Sequence, residues 1–179
     1  MMVPINLVKM ILRCVALLIT LLLTAMIGNV IATNIDGVAS ATAAINFIMF
    51  VTVVSWIVCI VGIGAFFASV LANPMIQTPL DGAAVLFTLI GAIAVSAKLR
   101  MVDCGDIDAK KFPNDWIAWG SGSDEKRCRE LQASAVFTWF LLVCFSGSLF
   151  FTLKGAREHL GGSFRAASRP SMSQLSSSV

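Results

Sequence analysis

The sequence predicts an all-α integral membrane protein, a bundle of four antiparallel transmembrane helices. The 179-residue chain is 58% hydrophobic and 13% charged, with a mean hydropathy of +0.87, whereas soluble domains carry about 25% charged residues. The apolar residues also fall into four long runs, and crossing the hydrocarbon layer takes about 20 such residues. Because a backbone in lipid must satisfy its own hydrogen bonds, these runs are predicted to be helices.

The four predicted spans cover residues 14–32, 45–72, 82–99 and 131–153. Lys9 and Arg13 precede the first span, and Lys98 ends the third, where its long stem can reach the interface. We therefore expect no charge buried in the bundle. The first run has an apolar core of about 19 residues, longer than the 7–15 of a signal peptide, which predicts that it is retained as a span.

The connections predict which ends of the helices lie together. Links 33–44 and 73–81 are short, and link 100–130 is long and polar. Four spans place both termini on one side of the membrane. Cations flank the first span and fill the tail, which favours cytosolic termini. We expect a membrane domain at residues 5–155 and a disordered, basic, Ser-rich tail at residues 156–179.

Two cysteines stand at the mouths of the long polar link. If the third and fourth helices are neighbours, Cys104 and Cys128 come within disulfide range, and the outer side of a membrane is oxidising. A zinc site is the weaker alternative, because the link has no histidine and no closely spaced cysteines.

Cys14, at the start of the first span, has two possible roles. It is either a small apolar residue or, near the cytosolic interface, a palmitoylation site.

The sequence offers no complete catalytic or metal-binding pattern. The single histidine, His159, stands in the tail, so a Ser-His-Asp or Cys-His arrangement cannot be assembled. Asp103, Asp106 and Asp108 approach the spacing of a calcium loop but lack its glycine turn and closing glutamate. We predict a non-enzymatic protein without cofactor, metal or nucleic-acid partner.

Transport of a small neutral solute is the alternative function. It requires neutral polar side chains that face one another around a wet cavity, whereas a dry bundle with lipid-facing grooves favours a membrane organiser. The candidate lining residues are Thr52, Ser55, Thr88, Ser96 and Thr138.

The tail carries candidate phosphorylation sites. Ser168 follows Arg165 by three residues, and Ser171 follows Arg169. Phosphate at either serine would oppose the attraction of the basic tail to anionic lipids.

The third link and the fourth span carry a family resemblance. Four spans, two short links and a cysteine pair in the third resemble the MARVEL-type tetraspan proteins. The segment "GSGSDEKRCRELQASAVFTWF" is similar to the fungal non-classical export protein family. The matching residues are Cys104, Gly120, Ser121, Gly122, Arg127, Cys128, Arg129, Gln132 and Ala133.

This resemblance implies a function that the composition does not. It implies residence in a fungal plasma membrane, in the microdomains called eisosomes, with a response to sphingolipid status and a link to non-classical protein export. The implied partners are membrane lipids, including sphingolipids, and eisosome-type membrane proteins. Small residues spaced four apart in the spans also allow a homo-oligomer.

Overall fold

The structure, a computed structural model, describes residues 5–35, 39–68, 71, 73–100, 102–105 and 116–167. Each of its helices is long and apolar enough to cross a membrane, which confirms the predicted all-α four-span fold. In chain order they are α1 (Ile5–Ala32), α2 (Ala39–Gly64), α3 (Pro74–Leu99) and α4 (Asp124–Ala167).

The helix bounds differ from the apolar runs. α3 begins at Pro74, because Asn73 caps it by accepting a 3.0 Å hydrogen bond from the Met75 amide on its side-chain oxygen, and proline is well suited to the first helical position. Asp81 therefore lies about two turns inside α3 and not in a link. α1 likewise begins at Ile5, which places Arg13 inside it.

Helices α2 and α4 also end elsewhere than predicted. α2 stops at Gly64 and gives way to a turn, eight residues before the predicted end of the second span at residue 72. α4 continues to Ala167, twelve residues past the predicted domain boundary at 155 (167 − 155). Extending a formed helix costs little once it is nucleated. The segment from 168 onward, with Ser168 and Ser171, lies outside the described residues.

The helices pack as a ring. α1 packs against α2 and α4, and α3 packs against the same two helices. The pairs α1 with α3 and α2 with α4 are therefore diagonal in the described part of the chain. Buried residues recur at spacings of three or four, as at the seam of a coiled coil. On α1 they are Arg13, Ala16, Thr20, Leu23, Ile27 and Val30, and on α3 Asp81, Ala84, Thr88, Ala92, Val95 and Leu99, with Gly91 buried next to Ala92.

The faces that point away from the seam are apolar. Leu18, Ile60, Leu86 and Val143, one on each helix, are between 54% and 68% exposed. Such side chains suit contact with lipid tails, which are as apolar as leucine.

A disulfide joins the end of α3 to the start of α4. Cys104 and Cys128 are bonded, with Cα atoms 5.7 Å apart and a sequence separation of 24 residues. Both are buried in the same hydrophobic cluster as Trp116 and Leu131. The predicted pairing is confirmed.

Replacing both bonded cysteines by serine is expected to destabilise the protein by about 3.5 kcal/mol, since the bridge restricts a loop of this length in the unfolded chain. Thermal unfolding of the purified protein in detergent measures the loss. Cys14→Ser is the matched control, because Cys14 is free and exposed, and it should unfold like the parent. Equal midpoints for the double variant and the parent would contradict the expectation.

Candidate functional site

A buried ion pair crosses the centre of the bundle. Arg13 of α1 is 4% exposed and Asp81 of α3 is fully buried, and Nη2 of Arg13 donates to Oδ1 of Asp81. Because α1 and α3 do not pack against each other, the long arginine side chain spans the diagonal. The two charges neutralise each other in the part of the bundle where the termini and the α2–α3 link meet.

The other two helices complete this pair. From α4, Oγ1 of Thr152 lies 3.1 Å from Oδ2 of Asp81 and donates to it. From α2, the carbonyl oxygen of Val58 accepts from Nη1 of Arg13 at 3.4 Å, and Oε1 of Gln77 on α3 accepts from Nη2 at the same distance. All four helices therefore bind one charge cluster, which we call the ion-pair layer: Arg13, Val58, Gln77, Asp81 and Thr152.

Gly62 of α2 provides the space for the arginine. A Cβ atom at this position would lie 2.5 Å from Nε and 2.8 Å from Cζ of Arg13. Because Asp81 holds the guanidinium in place, the arginine cannot move away without losing its partner. The absence of a side chain at Gly62 is therefore a requirement of the ion-pair layer.

The expectation that the bundle buries no charge is wrong. The hydropathy pattern had placed Arg13 before the first span and Asp81 in the link 73–81, because each stands outside an uninterrupted apolar run. The signal for their burial is their register: Arg13 precedes Ala16 by three residues and Asp81 precedes Ala84 by three. Both charges thus continue the buried stripe of their own helix.

At the other end of the bundle, the residues of the predicted family motif form a structure that we call the clasp, residues 34–35, 102–104 and 120–132. Asn34 and Ser121 form an isolated antiparallel bridge, and the amide of Ile35 donates to the carbonyl of Gly120 at 2.9 Å. Gly120 has φ of 92°, a conformation that favours glycine. The bridge ties the end of α1 to the segment before α4.

Side chains from the first turns of α4 complete the clasp. Nη1 of the buried Arg127 donates to Oδ1 of Asn34 at 2.9 Å, and Nε2 of Gln132 donates to the carbonyl of Val102 at 2.8 Å. Asp124 accepts at 3.0 Å from the amide of Ser121. Together with the disulfide, these bonds attach both the end of α1 and the segment after α3 to the start of α4.

The remaining motif residues contribute less to the clasp. Arg129 forms an exposed ion pair with Glu125 at 2.6 Å. Gly122 is exposed, and a Cβ there would meet nothing within 4 Å. Ala133 is half-buried beside Met26 in a surface groove between α4 and α1.

The two tryptophans of the third link have different environments. Trp116 is buried and its Nε1 donates to the carbonyl of Leu99 at 3.0 Å, so its indole plugs the bundle under the link. Trp119 is 41% exposed.

The acids that approach the spacing of a calcium loop do not form a metal site in the described ranges. Asp103 accepts from the amide of Gly105, whereas Asp106 and Asp108 lie outside the described residues. Within the described ranges, His, Cys, Asp and Glu form no group of three that would hold a metal.

The hydroxyls proposed to line a transport path do not converge on one. Thr52, Ser55, Thr88 and Thr138 are buried, and each donates to a carbonyl three or four residues earlier on its own helix, at 2.6–2.8 Å. Such bonds satisfy a hydroxyl without water. Ser96 is instead exposed and accepts from Nε1 of Trp139 at 3.3 Å.

The model of the MARVEL family, described as a membrane-associating domain, matches residues 6–151. No curated protein and no solved structure matches the chain.

Asp81→Asn is expected to destabilise the protein by about 3–5 kcal/mol, because it leaves the Arg13 charge buried without its partner. Combining it with Arg13→Met should recover most of that loss, since no unpaired charge then remains. A double-mutant cycle of thermal midpoints in detergent measures the coupling. Glu125→Gln, which breaks an exposed pair, is the control and should change stability by less than about 1 kcal/mol. Additive losses in the cycle would contradict the coupling.

Gly62→Ala is expected to lower the unfolding midpoint, because its Cβ displaces the Arg13 guanidinium. Gly28→Ala is the matched control: its Cβ meets nothing within 4 Å, and alanine in a helix is favoured by about 0.5–1 kcal/mol over glycine. The two substitutions should therefore shift the midpoint in opposite directions. A shift of the same sign and size would show that Gly62 has no special role.

Proposed function

Because the chain belongs to the MARVEL family of membrane-associating domains, we propose that it is a multi-pass plasma-membrane protein that organises membrane microdomains and catalyses no reaction. It does so through lateral contacts of its apolar outer surface with lipids and with other membrane proteins, including further copies of itself. Its termini face the cytosol and the clasp faces outward, as expected for an oxidised cysteine pair.

The observation that carries this proposal is that the buried polar groups of the bundle form hydrogen bonds and ion pairs with one another. The buried charges of the ion-pair layer bind each other, and seven buried hydroxyls along the seam each lie within hydrogen-bond distance of a carbonyl of their own helix. Little polar chemistry is left for a substrate in this part of the molecule. The outward faces of the helices offer large apolar side chains to the surrounding membrane.

The finer assignment is an eisosome-type organiser that responds to sphingolipids and takes part in non-classical export. It rests on the motif resemblance, and the clasp gives that motif a physical meaning. Gly120, Arg127, Cys128 and Gln132 each form a bond that the clasp needs. A chain that shares these residues would build the same clasp.

The tail would tune recruitment. Four cations in the last part of α4 and just after it, Lys154, Arg157, Arg165 and Arg169, can attract anionic lipids of the cytosolic leaflet, at about 1 kcal/mol each near the surface. Phosphate on Ser168 or Ser171 would oppose that attraction.

A fluorescently tagged copy is expected to form patches in a fungal plasma membrane and to redistribute when sphingolipid synthesis is blocked. Live-cell imaging before and after the block measures the fraction of signal in patches. A tagged single-span plasma-membrane protein with a uniform distribution serves as the control. A uniform distribution of the tagged copy that does not change under the block would overturn the proposed function.

A further inference from the structure

We infer that the groove between α2 and α3 at the clasp end is a binding site for a phospholipid whose headgroup carries a net negative charge. The groove has a volume of about 390 Å³ and is lined by Ala44, Ala94, Ala97, Lys98, Arg100 and Trp116. The inference deepens the proposed function, because it names the class of lipid that such an organiser would hold.

The mouth of the groove carries two cations. Lys98 is half-buried in the last turn of α3, and Arg100 follows the helix and is exposed. Within the described part of the chain neither side chain has an ion pair, and the described lining contains no acid. An anionic group at this position would therefore meet two positive charges that no described residue neutralises.

A second groove at the same end shows that this lack of acids is particular to the site. The groove of about 500 Å³ beside α4 is lined by Lys126 and Arg129, but Glu130 and Glu125 lie 4.0 and 2.6 Å from their nitrogens. Both glutamates line the same groove, so its charges balance. Charge complementarity with an anion thus selects the groove between α2 and α3.

The walls below the cations suit an acyl chain. Ala44, Ala94 and Ala97 leave room where longer side chains would fill the groove. α2 and α3 close together deeper in the membrane, where Gly91 lies so near Ile48 that a Cβ would be 2.9 Å from its Cδ1. An open apolar groove with positive charge at the helix end fits a lipid better than a free anion, because it contacts both of its parts.

An aromatic cluster lies deeper along the same two helices. Phe50 and Phe87 meet edge to face with centroids 5.4 Å apart, and Phe47 lies 6.2 Å from Phe50. Phe87 precedes Ala94 by seven residues, about 10 Å along the helix axis. The groove therefore accommodates the headgroup and the first part of a chain, and the remainder lies along the exposed ring of Phe50.

Two further features lie at the headgroup end of the groove. The buried indole of Trp116 forms one side and donates a hydrogen bond to the carbonyl of Leu99. Arg100 has φ of 59° and ψ of 174°, a backbone conformation that is essentially confined to glycine. A non-glycine residue at this strained position is compatible with a functional use of its side chain.

Native mass spectrometry of the delipidated full-length protein in detergent tests the inference. The probes are phosphatidylglycerol and phosphatidylcholine with identical acyl chains, added at equal concentration. The parent should retain more phosphatidylglycerol. Lys98→Gln with Arg100→Gln should reduce that preference by about fivefold per cation removed, the factor that corresponds to one interfacial charge. Lys126→Gln with Arg129→Gln is the matched control and should leave the preference unchanged.

Two further variants separate binding from folding. Ala97→Phe fills the groove without changing the charge and should also abolish the preference. Arg100→Gly removes a charge and relaxes the backbone, so it should lower lipid binding while keeping or raising the unfolding midpoint. Equal losses in the two charge-pair variants, or none in either, would overturn the site.

A soluble competitor decides whether the ligand is a lipid. Excess glycerol phosphate should displace phosphatidylglycerol poorly, because it makes no contact with the alanines. Full displacement would show a site for free phosphates and overturn the inference. These measurements use purified protein, so they can fail while the cellular imaging succeeds, and the reverse.

Discussion

The bond between Arg13 and Asp81 constrains the rest of the bundle. Removing two ions from water costs several kcal/mol for each, and a membrane offers no water to replace the lost hydration. The cost is offset only while all four helices stay in register, since α4 supplies Thr152 to the carboxylate and α2 supplies the Val58 carbonyl to the guanidinium. A slip of any helix by one residue would remove a partner from a buried charge. The pair therefore selects one arrangement of helices whose apolar surfaces alone would permit several.

The two ends of the bundle are fixed by different means. The ion-pair layer holds one end by directional electrostatics, and the clasp holds the other by a disulfide and by backbone bonds to α1. Between them the seam consists of apolar side chains such as Leu23 and Phe145 together with hydroxyl-bearing ones, and most of the hydroxyls bond to their own helix. These side chains pack closely, but their contacts do little to favour one helix register over another. Specificity is thus concentrated at the ends, which leaves the outer faces free to match the surrounding membrane.

Features that depend only on local composition could be predicted from the sequence. Four spans and the pairing of Cys104 with Cys128 followed from hydropathy and residue type. Hydropathy averages over a window, however, so a single charge such as Asp81 is read as the edge of a span even when the helix continues past it. The periodicity of buried positions contained the missing information, because Asp81 precedes Thr88 by one heptad. The diagonal contact itself needs the relative placement of α1 and α3, and no local pattern gives that.

The same reasoning explains why the groove between α2 and α3 escaped prediction. Lys98 was expected to reach the interface as an ordinary flanking cation. The sequence shows that Lys126 has a glutamate four residues later and that Lys98 has no acid within four residues, but it does not show the groove. That requires the packing of α2 against α3, which brings alanines of both helices, Arg100 and Trp116 around Lys98. Two cations without a described partner at the mouth of an apolar groove therefore mark the surface where an anion from the membrane can complete the charge balance.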